Sequence, residues 1–238
     1  MFEQLPRESG GVYRLSRDDY RAQHMLRILK LQPGDLFVMG VVSGLSGQGR
    51  LESLDGRDVC FTWSPGGEGA KSHPVVLTVG CVRPICMKRI LREAASLGVQ
   101  KLQICGTDLG EKSYFSAGLW KDQTYRTHLI DGASQAGVTA VPEVSLFPRL
   151  TDALSEAKEG AKLVLDLADG AVPLSRIQLP KEYPLRLAVG SERGWSRREQ
   201  KLFAREGWIP VSLGTHILRT ETACASGTAV LLARFGLI

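Results

Sequence analysis

The chain has 238 residues, 43% hydrophobic and 23% charged, which is ordinary for a globular protein with a sizeable core. Its start, MFEQLPRESGG, lacks the apolar core of a secretory signal, and no stretch approaches the roughly 18 apolar residues of a membrane helix, so we expect a cytoplasmic protein without a membrane partner. The net charge of +5 arises wholly in residues 74–238, with twenty-one Lys/Arg against sixteen Asp/Glu, and is compatible with a nucleic-acid partner without specifying one.

Residues 1–72 are predicted to form a small β-barrel domain of short strands. The expected strands are Val12–Leu15, Leu36–Val42, Arg50–Leu54 and Val59–Trp63. Glycine-containing turns are expected to separate them, at Gly44, Gly47, Gly49 and Asp55-Gly56. The Gly-rich segment 64–73, SPGGEGAKSH, is predicted to be a linker to the rest of the chain.

One helix, Tyr20–Lys30, is predicted within this domain. Asp18 or Asp19 can cap its N-terminus, and Leu26 and Leu29 give it an apolar side. Another side is basic, with few acids, and carries Arg21, His24, Arg27 and Lys30. These four residues are candidates for contacts with RNA phosphates, and an ordinary solvated helix face explains the pattern equally well.

Residues 73–238 alternate between apolar strands and helices, which predicts an α/β domain with a largely parallel sheet. The predicted strands are Val75–Val82, Leu102–Cys105, Val144–Phe147, Leu163–Leu167, Leu185–Val189 and Ile209–Leu213. The predicted helices are Ile85–Leu97, Leu119–Ala136, Thr151–Lys158, Ser196–Glu206 and Thr220–Phe235. Ligands of such sheets bind beyond the carboxyl ends of the strands, so a site is expected at the turns that follow them.

The first informative turn follows the predicted strand Leu185–Val189. Gly190 and Gly194 allow a tight turn and a close approach of a ligand to the backbone. Ser196 and Glu199 have the spacing of a capping box, which predicts that a helix begins there. An ordinary strand-to-helix turn with a good cap explains the same residues, so this pattern alone assigns no ligand.

The second informative turn runs from Val211 to Ala223. Arg219 and Glu221 lie where a helix is predicted to begin. A carboxylate suits the N-terminal end of a helix dipole, so Glu221 can be purely structural, whereas a cation is disfavoured there. The position of Arg219 therefore indicates an anionic partner or a buried carboxylate. The helix that follows is rich in Ala, Ser and Gly, which permits close packing of another backbone, although a plain core helix explains it too.

No metal, nucleotide-loop or hydrolase motif is found. The chain lacks GxGxxG, GxxxxGK[ST], GxSxG and HExxH. Its five cysteines form no CxxC pair and its four histidines have no spaced partner. We therefore expect neither a metal site nor a disulfide framework.

The two turns resemble those of the ribosomal RNA small subunit methyltransferase E family, which makes N3-methyluridine in 16S ribosomal RNA. VGSERGWS at 189–196 is similar to the family's IGPEGG(F/L)S, and LGTHILRTETA at 213–223 is similar to its LGxRILRTETA. Residues 24–35 are similar to its HxxxVLRxxxGD segment. Short matches elsewhere, at 97–99, 135–137 and 141–142, extend the resemblance over nearly the whole chain.

Departures from the family pattern concern polar residues. Ser191 and Arg193 replace a proline and a glycine of the first turn, His216 replaces an arginine of the second, and Ser134 and Val138 replace a glutamate and an arginine upstream. Because the family's cofactor is held largely by backbone groups, these departures bear more on the RNA target than on the cofactor. They leave a second hypothesis open, a catalytically silent RNA-binding relative of the same fold.

The resemblance implies a PUA-like β-barrel at 1–72 followed by a SPOUT domain with a deep trefoil knot at 73–238. It further implies a homodimer that acts on 16S ribosomal RNA or the small ribosomal subunit, with S-adenosyl-L-methionine as cofactor and without a metal. The residues expected to hold the cofactor follow the strand ends and are Leu165, Val189, Gly190, Glu192, Gly194, Leu213, Gly214, Ile217, Leu218, Thr222 and Ala223.

Arg219 and Glu221 are the candidate catalytic residues. Uridine N3 carries a proton and is a poor nucleophile until that proton is lost, so a group that stabilises the resulting anion is needed. Arg219 is expected to stabilise this anion or to anchor a phosphate. Glu221, like Glu192, is expected to organise the loops rather than to act as the base.

Overall fold

The structure is a computed structural model that describes residues 1–167, 170–178 and 182–238. The chain divides into two units. The first unit comprises Met1–Lys71 together with the short segment Gly137–Ala140, and the second comprises Ser72–Ala136 and Val141–Ile238. Thr139 ties its segment into the first unit, because its Oγ1 donates a hydrogen bond to the Gly44 carbonyl (2.8 Å) and its own carbonyl accepts one from the Ser43 amide (2.7 Å).

The first unit is built on an antiparallel sheet. Its strands are β1 (Arg7–Ser9), β2 (Val12–Ser16), β3 (Leu36–Gly40), β4 (Leu45–Asp55) and β5 (Asp58–Glu68), in the order β1-β2-β5-β4-β3. The segment before β1 returns to the opposite edge of the sheet. There the Phe2 amide donates to the Gly40 carbonyl (2.9 Å) and the Val42 amide donates to the Phe2 carbonyl (2.8 Å). These bonds join the chain ahead of one edge strand to the end of the other, so the sheet curls around its core.

Three predictions for this sheet are wrong. β4 begins at Leu45 rather than Arg50, so Gly47 and Gly49 lie inside a strand and not in turns. A Cβ at Gly47 would lie 2.3 Å from the Ser64 carbonyl oxygen, and one at Gly49 would lie 2.4 Å from the Phe37 ring, so both glycines serve close cross-strand packing. The expected linker 64–73 is also wrong in its first half, because β5 continues through Glu68.

The predicted helix Tyr20–Lys30 is shorter and less regular than expected. It consists of α1 (Tyr20–Gln23) followed by a π-helical turn, His24–Ile28. Asp19 caps it by accepting a hydrogen bond from the Arg21 amide (2.8 Å), which confirms one of the two predicted caps. The buried side is formed by Ala22 and Met25, whereas Leu29, predicted to be on the apolar side, is exposed.

The second unit is an α/β fold with a parallel sheet, as predicted. Its strands are β6 (His73–Gly80), β7 (Val99–Cys105), β8 (Glu143–Phe147), β9 (Lys162–Leu165), β10 (Val172–Pro173), β11 (Leu185–Val189) and β12 (Ile209–Ser212). They are ordered β10-β12-β9-β11-β6-β7-β8, and the pairs are parallel. All residues of β11 are buried because the strand lies in the middle of the sheet. The two-residue β10 was not predicted.

The described residues of this unit form six α-helices. They are α2 (Pro84–Ser96), α3 (Gly118–Lys121), α4 (Tyr125–Gln135), α5 (Leu150–Ser155), α6 (Arg197–Arg205) and α7 (Thr220–Arg234). Short 3₁₀ turns occur at Lys112–Ser116 and Leu174–Arg176. The single helix predicted over Leu119–Ala136 is wrong, because Gln123 adopts a left-handed conformation (φ 53°) that separates α3 from α4.

Candidate functional site

A cavity of about 410 Å³ lies at the carboxyl ends of β9, β11 and β12. In the sheet β9 lies between the other two. After β9 the chain forms β10 at the edge beyond β12, then β11 on one side of β9, and later β12 on the other side. Crevices at such a reversal of strand order are where open α/β sheets bind ligands. We refer to it as the β9–β12 cavity.

The structure gathers most of the residues that the sequence analysis assigned to a cofactor. Nine of those eleven line the β9–β12 cavity, namely Leu165, Val189, Gly190, Glu192, Gly194, Leu213, Ile217, Leu218 and Ala223. The other two, Gly214 and Thr222, are not among its lining residues. Gly214 forms the left-handed bend after β12 (φ 110°), and Thr222 is exposed on α7.

The turn after β11 depends on its two glycines. The Gly194 amide donates to the Ser191 carbonyl (2.9 Å), and Gly194 has φ 69°, which favours glycine. A Cβ at Gly190 would lie 2.8 Å from the Cα of Gly194, so a side chain there cannot be accommodated without moving the backbone. The two glycines therefore fix the shape of this turn, which lines the β9–β12 cavity.

α6 begins directly after this turn with the predicted capping box. The Ser196 side chain accepts from the Glu199 amide (3.2 Å), and Glu199 Oε2 accepts from the Ser196 amide (2.8 Å). Glu199 is almost fully buried, and its Oε1 accepts from the Asp108 amide (2.8 Å), which follows β7. Hydrogen bonds from Arg198 and then Ser196 hold the pKa of Asp108 below its usual value. This network fixes the start of α6 against the end of β7.

Two residues of the cavity lining, Asp166 and Trp195, were not among the predicted site residues. Trp195 Nε1 donates to the Leu165 carbonyl (3.2 Å), and the buried Trp195 ring packs edge-on against Phe203. Asp166 also lines the cavity, and its two carboxylate oxygens accept from the Leu167 amide (2.7 Å) and from Gln200 Nε2 (2.9 Å). A polar residue directly after a buried parallel strand was the available signal for Asp166.

Glu192 connects the β9–β12 cavity to α2. Its Oε1 accepts from the Arg83 amide (3.1 Å) and lies 3.6 Å from Arg83 Nε. Arg83 is the N-cap residue of α2 and has no capping side-chain bond of its own, so the Glu192 carboxylate meets unsatisfied amides at a helix start. Glu192 thus links the turn after β11 to the start of α2.

Arg219 and Glu221 are near the β9–β12 cavity but do not line it, whereas Leu218 and Thr220 do. Arg219 is the N-cap residue of α7, and its exposed guanidinium makes no hydrogen bond or ion pair with the residues that the structure describes. Among the described residues, Glu192 pairs with Arg83 and Glu221 pairs with Arg89, so neither carboxylate is the partner of Arg219.

Glu221 belongs to a buried polar cluster between α2 and α7. Its side chain is 10% exposed, and its Oε1 lies 3.5 Å from Arg89 Nη1. Burial and then the Glu221 charge raise the pKa of Glu93, against an opposing effect of Arg89. Burial also raises the pKa of the Cys86 and Cys224 thiols, with further contributions from Glu221. These thiols are therefore protonated at neutral pH and are poor nucleophiles.

The four residues of the predicted basic side of the first unit have different surroundings. Arg21 donates to both carboxylate oxygens of Asp19 (2.9 and 2.6 Å) and lies over the Phe2 ring (4.4 Å to its centroid). His24, Arg27 and Lys30 are exposed. Arg21 is thus committed to the local fold, and the other three residues are accessible to a partner.

Neither a metal-binding cluster nor a membrane-spanning helix is found in the described part of the chain. Within residues 1–167, 170–178 and 182–238, no group of three or more His, Cys, Asp and Glu side chains is arranged to hold a metal ion. In the same residues, no helix has the length and apolar character needed to span a bilayer.

The β9–β12 cavity lies in a part of the chain that matches a known family. Residues 70–232 match the RNA methyltransferase domain family, which defines the class of this protein. The chain is 35% identical to the ribosomal RNA small subunit methyltransferase E of Treponema pallidum, over 94% of this chain and 86% of that protein. It is 29% identical to ribosomal RNA small subunit methyltransferase E 1 of Borreliella burgdorferi, over 92% of each. The chain therefore belongs to the ribosomal RNA small subunit methyltransferase E family, which confirms the predicted resemblance.

Solved structures share this fold over nearly the whole chain. A ribosomal RNA small subunit methyltransferase E from Neisseria gonorrhoeae, bound to S-adenosyl methionine, has a TM-score of 0.77 and 22% identity and covers 96% of this chain and 95% of that one. A putative methyltransferase from Legionella pneumophila, in complex with the cofactor SAM, has a TM-score of 0.74 and 23% identity, with 98% of each chain covered. At such identities the likeness concerns the fold.

Proposed function

We propose that this protein transfers the methyl group of S-adenosyl-L-methionine to N3 of a uridine in 16S ribosomal RNA. The observation that carries the proposal is the β9–β12 cavity, which the two family-like turns form together at the carboxyl ends of the sheet. Family membership supplies the reaction class, and the related structures from Neisseria gonorrhoeae and Legionella pneumophila, which are bound to S-adenosyl methionine, support the cofactor.

The cavity fits this cofactor in its chemistry. Gly190 and Gly194 allow the tight turn whose backbone lines the cavity, and a backbone without side chains at these two positions lets a ligand approach it closely. Apolar side chains of Leu165, Leu213 and Leu218 suit an adenine ring, and the Asp166 carboxylate suits ribose hydroxyls. When bound, the sulfonium cofactor supplies an electrophilic methyl group. The chain's task is to hold it in line with the attacking nitrogen.

Arg219 is proposed to act on the RNA rather than on the cofactor. Its guanidinium is exposed beside the β9–β12 cavity, and no described residue neutralises it. A free cation in that position can stabilise the anion that forms when N3 loses its proton, or can bind the adjacent phosphate. Glu221 is proposed to be structural, since Arg89 and the α2–α7 packing already hold it.

For the first unit we propose a PUA-like barrel that binds RNA. The curled antiparallel sheet, with Phe2 bonded to the far edge, supports a barrel. The exposed His24, Arg27 and Lys30 support phosphate contacts. For the second unit we propose a trefoil knot around the β9–β12 cavity. Its support is the strand order β12-β9-β11, which requires the chain to cross β9 after β11.

We further propose a cytoplasmic homodimer that uses α7. Gly227 faces the interior, where a Cβ would lie 3.0 Å from Leu165 Cδ1 and 3.1 Å from Leu187 Cδ2. The other side of α7 is accessible and presents small residues to a second copy, namely Thr222, Ala225, Ser226, Ala229 and Ala233. Small residues permit close helix packing, which supports this interface. Light scattering at micromolar concentration should give about twice the 26.0 kDa chain mass, and the monomer mass would contradict the proposal.

The experiment that tests the function combines binding and transfer. Calorimetry should detect S-adenosyl-L-methionine binding to the purified protein, and isotope-labelled cofactor should deliver its methyl group to unmodified 16S ribosomal RNA. Nucleoside mass spectrometry should identify N3-methyluridine. No cofactor binding at millimolar concentration would refute the proposal. Cofactor and RNA binding without transfer would instead establish the catalytically silent relative that the substitutions at Ser191, Arg193 and His216 suggest.

A further inference from the structure

A second cavity, of about 620 Å³, lies at the carboxyl ends of β6, β7 and β8 in the same sheet. This volume is within the range of pockets that enclose small organic ligands. We propose that this β6–β8 cavity receives the target nucleotide of the RNA, turned out of its stack, while the methyl donor occupies the β9–β12 cavity. The inference rests on the proposed function and extends it by naming where the acceptor binds.

The linings of the two cavities touch at one contact. Thr107 lines the β6–β8 cavity and Ser191 lines the β9–β12 cavity, and Thr107 Oγ1 donates a hydrogen bond to Ser191 Oγ (3.2 Å). Gly80, at the end of β6, permits this approach, because a Cβ there would lie 2.5 Å from the Ser191 amide nitrogen and 2.9 Å from Thr107 Cγ2. Methyl transfer requires donor and acceptor to be adjacent, and the two cavities are neighbours at this contact.

The charged groups of the β6–β8 cavity suit a nucleotide phosphate. Its cations are Lys112, Arg149 and Arg198, and its anions are Asp108 and Glu111. Both anions are already engaged, since Asp108 accepts from Arg198 and Ser196 and Glu111 accepts from the Ser113 amide (3.2 Å). Lys112 is exposed and makes no hydrogen bond or ion pair with residues 1–167, 170–178 and 182–238.

Arg149 and Phe115 complete the features expected of such a pocket. The exposed Arg149 is paired with the neighbouring, half-buried Asp152 (3.0 Å), and a surface ion pair of this kind can be replaced by a phosphate at small cost. Phe115 also lines the cavity and offers an aromatic ring, on which unstacked RNA bases pack. Uridine N3 lies on the base-pairing edge, so a paired or stacked uridine cannot present it to a methyl donor. The base must leave the stack, and a pocket next to the donor is where it then binds.

The test removes the two cations that are available to phosphate. Lys112→Ala/Arg149→Ala should raise the RNA concentration needed for half-maximal methyl transfer by about 10- to 100-fold and reduce the log–log salt slope by about 1.4, or about 0.7 for each phosphate contact. The dissociation constant of S-adenosyl-L-methionine should not change. The matched control is Lys121→Ala/Arg205→Ala, which removes an exposed lysine and an arginine paired with its neighbour Glu206, both outside the cavity lining.

A second variant fills the β6–β8 cavity with a large side chain instead of removing its positive charges. Thr151→Trp places a large ring at an exposed lining position and should abolish most transfer, while calorimetry shows unchanged cofactor binding and hence an intact second unit. If the wild-type protein transfers no methyl group, the proposed function fails. If the wild type is active and the filled variant and both double variants match it in rate, RNA dependence and salt slope, the acceptor-cavity inference is overturned and the proposed function stands.

Discussion

The β9–β12 cavity and the β6–β8 cavity lie side by side on one sheet but are built differently. The first is formed largely by two glycine-containing turns, and its Glu192 carboxylate is held by the Arg83 amide. The second is formed by side chains from separate loops, including Lys112, Arg149 and Phe115. Ser191, Arg193 and His216, which depart from the family pattern, all line the first cavity, so that cavity is retained although these side chains differ. The role of the second cavity depends on the identity of its charged and aromatic side chains.

The largest effect that this comparison predicts is at Arg219. Arg219→Ala should fold normally and bind the cofactor as the wild type does, because the exposed guanidinium has no partner among the described residues. Single-turnover methyl transfer should fall by roughly 10²–10³ if the guanidinium stabilises the uridine anion. If it binds a phosphate instead, saturating RNA should restore the rate. Arg205→Ala is the matched control, and a fully active Arg219→Ala protein would remove Arg219 from the site.

The next largest effect is expected at Gly190, in the turn after β11. Gly190→Ala introduces a Cβ 2.8 Å from the Gly194 Cα, so the turn must shift. Overpacking of this kind costs roughly 1–3 kcal/mol, so the cofactor dissociation constant should rise about 10- to 100-fold in calorimetry. Gly66→Ala is the control, since a Cβ there lies at an ordinary 3.6 Å from the Ser46 carbonyl oxygen. Unchanged cofactor affinity in Gly190→Ala would show that the turn does not form the cofactor site.

A smaller effect is expected in the first unit, where Arg21 differs from Arg27 and Lys30. Arg27→Ala/Lys30→Ala should weaken RNA binding several-fold at moderate salt and reduce the salt slope by about 1.4, with the melting temperature unchanged. Arg21→Ala should instead destabilise the unit by roughly 1 kcal/mol, because it removes the Asp19 ion pair and the contact with the Phe2 ring. Filter binding and thermal melting separate the two results. Equal RNA affinity in the double variant and the wild type would place the RNA elsewhere.

The smallest effect concerns the polar cluster between α2 and α7, which belongs to neither cavity. The pKa of Glu93 is raised by burial and by Glu221, so its ionised form is disfavoured and the stability associated with the protonated group is lost as pH rises through that pKa. Glu93→Gln stays neutral, so its melting temperature should exceed that of the wild type slightly at pH 7.5, with the gain vanishing towards pH 4. Glu143→Gln, at an exposed carboxylate, is the control. An equal shift at both pH values would contradict this assignment.

Local signals in the sequence predicted the turns of the β9–β12 cavity but not the β6–β8 cavity. The turn after β11 was predictable because Gly190, Gly194 and the Ser196–Glu199 capping box carry local signals with fixed spacing. The parallel sheet followed from the alternation of strands and helices. Gly47 and Gly49 were wrongly predicted to lie in turns. In sequence, a strand glycine that makes room for the Ser64 carbonyl or the Phe37 ring cannot be distinguished from a turn glycine.

The β6–β8 cavity could not be predicted, for a physical reason. Its lining comes from loops near residues 107–115, from 148–151 and from Arg198, which no motif connects. Their proximity is created by the sheet order and by the contact of Asp108 with Arg198 and Glu199, which joins the end of β7 to the start of α6. The sequence showed that a cation such as Arg219 is unusual at the start of a helix. The pairing of Glu192 with Arg83 and of Glu221 with Arg89 is seen only in the tertiary structure.

The most direct test of the central claim is nucleoside mass spectrometry of small-subunit ribosomal RNA from a strain that lacks this protein. N3-methyluridine should be absent from that RNA, should return when the wild-type chain is supplied, and should not return to the normal level with Arg219→Ala or Thr151→Trp. Undiminished N3-methyluridine in the strain that lacks the protein would contradict the claim that this chain makes the modification.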